Sequence, residues 1–158
     1  RKKAERFVGF MIDSRNLLRT YRYRIFFKLS PETILSYALP RGWKIDYSTL
    51  RRAATGTPVY EVAKEVWGNE LPELENLADQ PERQAVVKLE MVFKRHLYNS
   101  ARETLSDYVY PFHLGMILAY IFLLESEIDD LVTIIEVTVS GWKKDRIRGE
   151  LIGKRGHR

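Results

Sequence analysis

The segment YPFHLGMILAYIFLLESEIDDL, residues 110–131, joins eleven uncharged residues, Leu114 to Leu124, to four carboxylates within six residues: Glu125, Glu127, Asp129 and Asp130. Whether it enters a bilayer or a protein core sets the architecture of the whole chain. A membrane span needs about 20 consecutive apolar residues. The run is too short, so burial against other helices is expected. Continued to Val139, the segment places Leu114, Leu118, Ile121, Glu125, Ile128, Val132, Ile135 and Val139 in alternating steps of four and three. This is a heptad-like seam. It predicts a long helix from about Phe112 to Ser140, closed by Gly141, with Glu125 on the apolar face. A buried carboxylate without a partner is costly. Arg15, Arg19 and Arg22 recur at helical spacing near the start of the chain. An ion pair between Glu125 and one of them, fixing helix register, is therefore the expectation. Glu127, Asp129 and Asp130 fall off the seam and are expected in water.

The rest of the chain has the same helical period. Residues 1–28 place Phe7, Met11, Ser14, Leu18, Tyr21 and Ile25 on one face. Ser30 and Pro31 supply an N-cap and a first helical position for a short helix ending near Leu39. YSTLRRAATG and PVYEVAKEVWG read as two short helices, each closed by glycine. Pro81 opens a second long helix, to about Tyr110, whose inward positions are Val86, Leu89, Phe93, His96, Leu97, Ser100 and Leu105. KKDRIRGELI, residues 143–152, reads as a final amphipathic helix. No stretch alternates apolar and polar residues at strand spacing. The fold class is all-α: a helical bundle of three long helices with several short ones. One domain is expected over residues 1–152, its short helices lying between about 30 and 80, with a flexible basic tail over 153–158.

Composition narrows the function. The chain has 158 residues, 45% of them apolar and 30% charged, and no cysteine. Thiolate metal sites and disulfides are excluded. The net charge of +5 conceals basic ends, +7 over residues 1–28 and +5 over 140–158, around a centre of −7. The histidines, His96, His113 and His157, form neither an i,i+4 pair nor an H-E-x-x-H motif, so no metal site is assigned. Glu125 and Asp129, one turn apart, have the spacing to meet a cation, but two carboxylates so spaced more commonly mark a solvated face, and no metal is assigned to them. GELIGKR has the wrong spacing for a phosphate loop, and Arg155 stands where Ser or Thr is needed. No cofactor and no catalytic residue is assigned. RTYRYRIFFK interleaves Arg19, Arg22 and Arg24 with tyrosines, a pattern compatible with nucleic acid. A basic helical nucleic-acid-binding module is thus the alternative to a structural role, and a carboxylate- or metal-dependent enzyme a further one. The apolar face of that helix favours packing, so no nucleic-acid partner is expected.

Three stretches together resemble a known family. They are MIDSRNLLRTYRYRIF, with Asp13, Asn16 and Arg22; ALPRGWKIDYSTLRRA, with its Pro-x-Gly step; and YPFHLGMILAYIFLLESEIDDLVTII followed by DRIRGELI. They resemble the back part of the rotary-ATPase subunit called C in archaeal A-type enzymes and d in eukaryotic V-type enzymes. Asp13, Asn16 and Glu127 fall on family-motif positions. Leu124, Asp130 and Val132 depart from the Lys, Asn and Arg common there. The resemblance implies the last portion of a longer, funnel-like protein of similar helical domains. It implies a non-catalytic central-stalk subunit of a rotary A/V-type ATPase, on the cytoplasmic face of the membrane and without a span of its own. Its implied partners are the central axle subunits and the membrane proteolipid ring. Torque passes between them during ATP synthesis or during hydrolysis-driven proton or sodium transport.

Overall fold

The computed structural model describes residues 2–106, 113–141 and 151–153. Among them are seven helices and no strand: α1 (Lys2–Ile25), α2 (Pro31–Ser36), α3 (Tyr47–Thr55), α4 (Val59–Trp67), a 3₁₀ helix (Pro72–Leu77), α5 (Glu82–Leu105) and α6 (Leu114–Val139). The chain is all-α, as its periodicity indicates. The 3₁₀ helix was not foreseen. The amphipathic helix expected over residues 143–152 falls almost wholly outside the described residues, and Leu151 and Ile152 are not helical. The Tyr110–Pro111 break, His157 and the basic tail from Lys154 onward lie outside them too.

The helix ends have local causes. α1 stops short of residue 28 because Lys28 adopts φ 52°, and the Leu29 amide donates back to the Tyr23 carbonyl at 3.2 Å. Ser30 caps α2, its hydroxyl accepting from the Thr33 amide at 3.3 Å, with Pro31 in the first turn. Asp46 caps α3, and Gly56, at φ 131°, ends it. His113 caps α6 by accepting the Met116 amide on Nδ1 at 3.2 Å.

The backbone groups into two compact units. One comprises Arg1–Phe7 and Leu97–Arg158, the other Val8–His96. In the larger unit, Phe10, Trp67 and Phe93 meet edge to face, with ring centroids 4.9–5.4 Å apart. Around them Leu17, Val62, Leu74, Leu77, Val86 and Leu89 are fully buried. Tyr21 is also buried, and its hydroxyl donates to the Thr57 carbonyl at 3.1 Å. Arg24 donates to the Ala53 and Thr57 carbonyls at 2.6 and 3.0 Å and pairs with Glu82. Together they tie the α3–α4 turn to α1.

In the smaller unit, α6 packs on the first turns of α1. Phe7 and Phe122 meet edge to face at 6.0 Å. A Cβ on Gly115 would stand 2.4 Å from the Ala4 Cβ, so only glycine lets the helices approach this closely. The face α6 buries is Gly115, Ala119, Ser126 and Val137, with Phe122 and Asp130 half-buried.

The aromatic cluster in the larger unit is the test of this core. Phe93→Ala should cost about 3–5 kcal/mol of stability, as large-to-small core changes do. Val87→Ala, six residues earlier on the same helix but exposed, should cost less than about 0.5 kcal/mol. Urea melts of both variants check this; equal midpoints would contradict the packing.

Candidate functional site

Gly9, Asp13 and Asn16 lie at i, i+4 and i+7 on α1, on one stripe. All three are buried. The stripe holds the loop between α2 and α3. Asn16 makes a two-point bond to Leu39: its Nδ2 donates to the Leu39 carbonyl at 2.9 Å, and its Oδ1 accepts the Leu39 amide at 2.8 Å. Asp13 accepts the Trp43 amide on both oxygens, at 3.1 and 3.0 Å, and the Lys44 amide on Oδ2 at 2.7 Å. Between these anchors the chain must turn within Pro40, Arg41 and Gly42. Arg41 adopts φ 67°, a left-handed conformation uncommon outside glycine. A Cβ at Gly42 would sit 2.1 Å from Asp13 Oδ1, and one at Gly9 would sit 2.6 Å from the Trp43 Cβ. Neither position has room for a side chain.

The electrostatics are those of an enclosed carboxylate in a cradle of donors. Burial raises the Asp13 carboxyl above its ordinary value of 3.8, while the amides of Lys44, Trp43 and Ile45 pull the other way. Lys44 itself pairs with Glu70 across the loop. At the foot of the loop, Asp46 accepts the Thr49 amide at 2.8 Å. That bond, helped by the Thr49 and Ser48 side chains, holds its carboxyl down at about 2.

What the loop presents outward is aromatic and basic. Trp43 is 49% and Tyr47 64% exposed, and Leu39 and Arg41 are exposed with them. An open cavity of about 520 Å³, lined by Leu35, Leu39, Arg41, Lys44, Tyr47 and others, lies beside them. Exposed aromatics and Arg around a concavity on a rigid support are the composition of protein-binding hot spots. Among the described residues no His, Asp and Glu group could hold a metal ion.

The sequence-derived positions are distributed as follows. Asp13 and Asn16 form the anchor just described. Glu127 is exposed on α6. Glu125 is exposed too, which corrects the expectation of a buried, register-fixing ion pair. The stripe from Leu114 to Val139 that seemed to face the core is the outer side of α6, because the helix buries its small residues instead. Arg15 is exposed, Arg19 donates to the Tyr37 carbonyl at 3.1 Å, and Arg22 pairs with Glu90. Asp130, assigned to solvent, instead accepts the amides of Ile152 and Gly153 at 2.8 and 3.0 Å. Gly42 is the glycine of the Pro-x-Gly step, whereas Gly9 and Trp43 were not singled out from the sequence.

The loop and its anchor fall within a region that a known family covers. A family model described as ATP synthase (C/AC39) subunit matches residues 1–150, so the chain belongs to that family, the C/d subunits of A/V-type rotary ATPases. No curated protein and no solved structure gives a significant match.

Two measurements test the anchor. Asp13→Asn turns one acceptor into a donor facing donors, and should cost about 1–3 kcal/mol, the penalty of a buried unsatisfied group. Gly42→Ala should destabilise in the same direction through its clash with Asp13. The Asp46 cap should show in the pH dependence. A folded-state value of about 2 against an unfolded 3.8 means its stabilisation is complete above pH 3.8 and is lost as pH falls through about 2. Asp46→Asn, a neutral cap, should lack that acid-side loss; identical acid profiles for the two proteins would exclude the cap as its origin.

Proposed function

We propose, from membership of the C/AC39 subunit family, that this chain is a non-catalytic coupling part of the central stalk of a rotary A/V-type ATPase. In this reading it joins the rotating axle to the proteolipid ring at the cytoplasmic face of the membrane. It serves ATP synthesis or hydrolysis-driven ion transport without itself performing chemistry. No helix among the described residues is long and apolar enough to cross a membrane. Peripheral attachment to the ring is part of the proposed reading.

The family match over residues 1–150 carries the proposal, and the anchored loop supports its coupling part. A part that transmits torque must present its contacts on backbone that does not yield. The Leu39–Tyr47 loop is fixed to one helix at Leu39 and at Trp43–Lys44 by buried polar groups, and it exposes Trp43, Tyr47 and Arg41. A loop held by solvent-exposed contacts alone would open locally at little cost. The nucleic-acid alternative loses its main support. Of the residues that suggested it, Tyr21 is buried, and Arg22 and Arg24 pair with Glu90 and Glu82.

Reconstitution with detergent-extracted rotor complex lacking this subunit provides the test. Addition of the chain should restore ATP-driven ion uptake. Trp43→Ala and Tyr47→Ala should each weaken attachment by about tenfold or more, as hot-spot truncations do, with unchanged urea midpoints. Full uptake with both variants, or ATP turnover by the isolated chain that one of its own point mutations abolishes, would sink the proposal.

A further inference from the structure

The outer side of α6 has a pattern finer than a general apolar face. Leu114, Ile117, Ile121, Leu124, Ile128, Leu131 and Ile135 follow one another in steps of three and four, which is the a/d repeat of a coiled coil. Every one is exposed, from 41% at Leu124 to 70% at Leu114. The a positions are Leu114, Ile121, Ile128 and Ile135; the d positions are Ile117, Leu124 and Leu131. From Ile121 onward isoleucine stands at a and leucine at d, the choice that favours two-stranded pairing; the first heptad, Leu114 and Ile117, reverses it. The seam is about 32 Å long at 1.5 Å per residue. The opposite face already holds the helix in its own unit, through Gly115 against Ala4, Phe122 against Phe7 and Asp130 against the Ile152 and Gly153 amides. The seam is therefore spare, on a helix with a fixed backbone. Contiguous apolar surface of this extent marks an interaction site.

Charge selects the occupant. α6 carries five acidic residues and no Lys or Arg. Glu125 and Glu127, both exposed, take the e and g positions that flank the central heptad. The remaining e and g positions, Leu118, Tyr120, Val132 and Ile134, are apolar, so a second copy of α6 is opposed by overall charge, one helix with five carboxylates and no cation against another. An anionic lipid surface recruits helices with Lys and Arg on the polar face, which α6 lacks. We infer that the α6 seam docks a basic amphipathic helix of another polypeptide, with Leu/Ile at a and d and Lys or Arg at e and g. The inference rests on α6 alone and does not depend on rotor attachment.

The probe is a three-heptad peptide with Ile at a, Leu at d and Lys at e and g, beside a twin with Glu at e and g. Titrated into the full chain at low salt, the Lys peptide should bind at least about tenfold more tightly than its twin. The gap should narrow toward 1 M salt, where the screening length is about 3 Å. Ile128→Lys, at an exposed position, should leave the circular dichroism unchanged and abolish the preferential binding. Glu125→Lys with Glu127→Lys should reverse the preference toward the Glu peptide, an effect that damage to the fold would not produce. Equal binding of the two peptides would overturn the inference. So would self-association on sedimentation that Ile128→Lys removes, which would make the occupant a second copy. Binding of the chain through α6 to phosphatidylglycerol–phosphatidylcholine vesicles in place of either peptide would also overturn it.

Discussion

A carboxylate taken out of water must be matched by donors, and this condition at Asp13 shapes the larger unit around it. The side chain is fully enclosed, and its oxygens are satisfied by backbone amides of Trp43 and Lys44. Backbone amides are fixed dipoles. To aim two of them at one carboxylate, the loop must reverse tightly, so Arg41 goes left-handed and Gly42 lies against the Asp13 oxygen. The carboxylate also lies on the same helical stripe as Gly9 and Asn16, so the loop can approach α1 only in one register. The outward direction of Trp43 and Tyr47 follows from that register. Charge-assisted bonds to a buried acceptor are among the stronger ones available, so the loop is held against displacement.

The helices were legible in the sequence because their signals are local. Ser30-Pro31 and the glycines at 56 and 141 mark ends by φ preference and capping chemistry, which need no knowledge of the fold. The orientation of α6 was not legible for the opposite reason. Hydrophobic periodicity finds the most apolar stripe and assumes that the stripe is buried within the same chain. In α6 two stripes compete: a Leu/Ile stripe, and one of Gly115, Ala119 and Ser126 that permits close backbone approach. The second is the buried one. What distinguishes them is Ala4, more than a hundred residues earlier, and no periodicity within α6 contains that fact.

Glu125 illustrates how such an error spreads. Once the wrong stripe is turned inward, a glutamate on it needs a cation, and arginines at helical spacing on α1 supply one. The chain uses those arginines differently. Arg22 and Arg24 are paired with Glu90 and Glu82 of α5, and Arg19 serves a carbonyl. Asp13 gave the better signal. It sits mid-helix with Gly9, Phe10, Asn16 and Leu17 at the neighbouring positions of its face, none of them basic. A carboxylate so placed has no local ion pair and must find donors elsewhere, or face water. Its neighbours Phe10 and Leu17 are core residues, which excludes water and leaves a tertiary partner. Resemblance to a family drew attention to Asp13 and Asn16, but this local argument supplies the reason for them.

The two outward-facing features of the chain call for different kinds of partner. The Leu39–Tyr47 loop offers a compact aromatic and basic surface beside a concavity, suited to a few anchoring side chains. The α6 face offers length, a regular repeat and one sign of charge, suited to a helix lying along it. A coupling part needs contacts of both kinds if it is to hold two bodies that turn together. A short anchor resists sliding only where its support is stiff, and a helix seam resists it by interdigitation repeated over several turns. In the coupling role proposed above, the fixed loop would supply the stiffness through buried polar bonds, and α6 the repeat through an apolar face that its own packing does not consume.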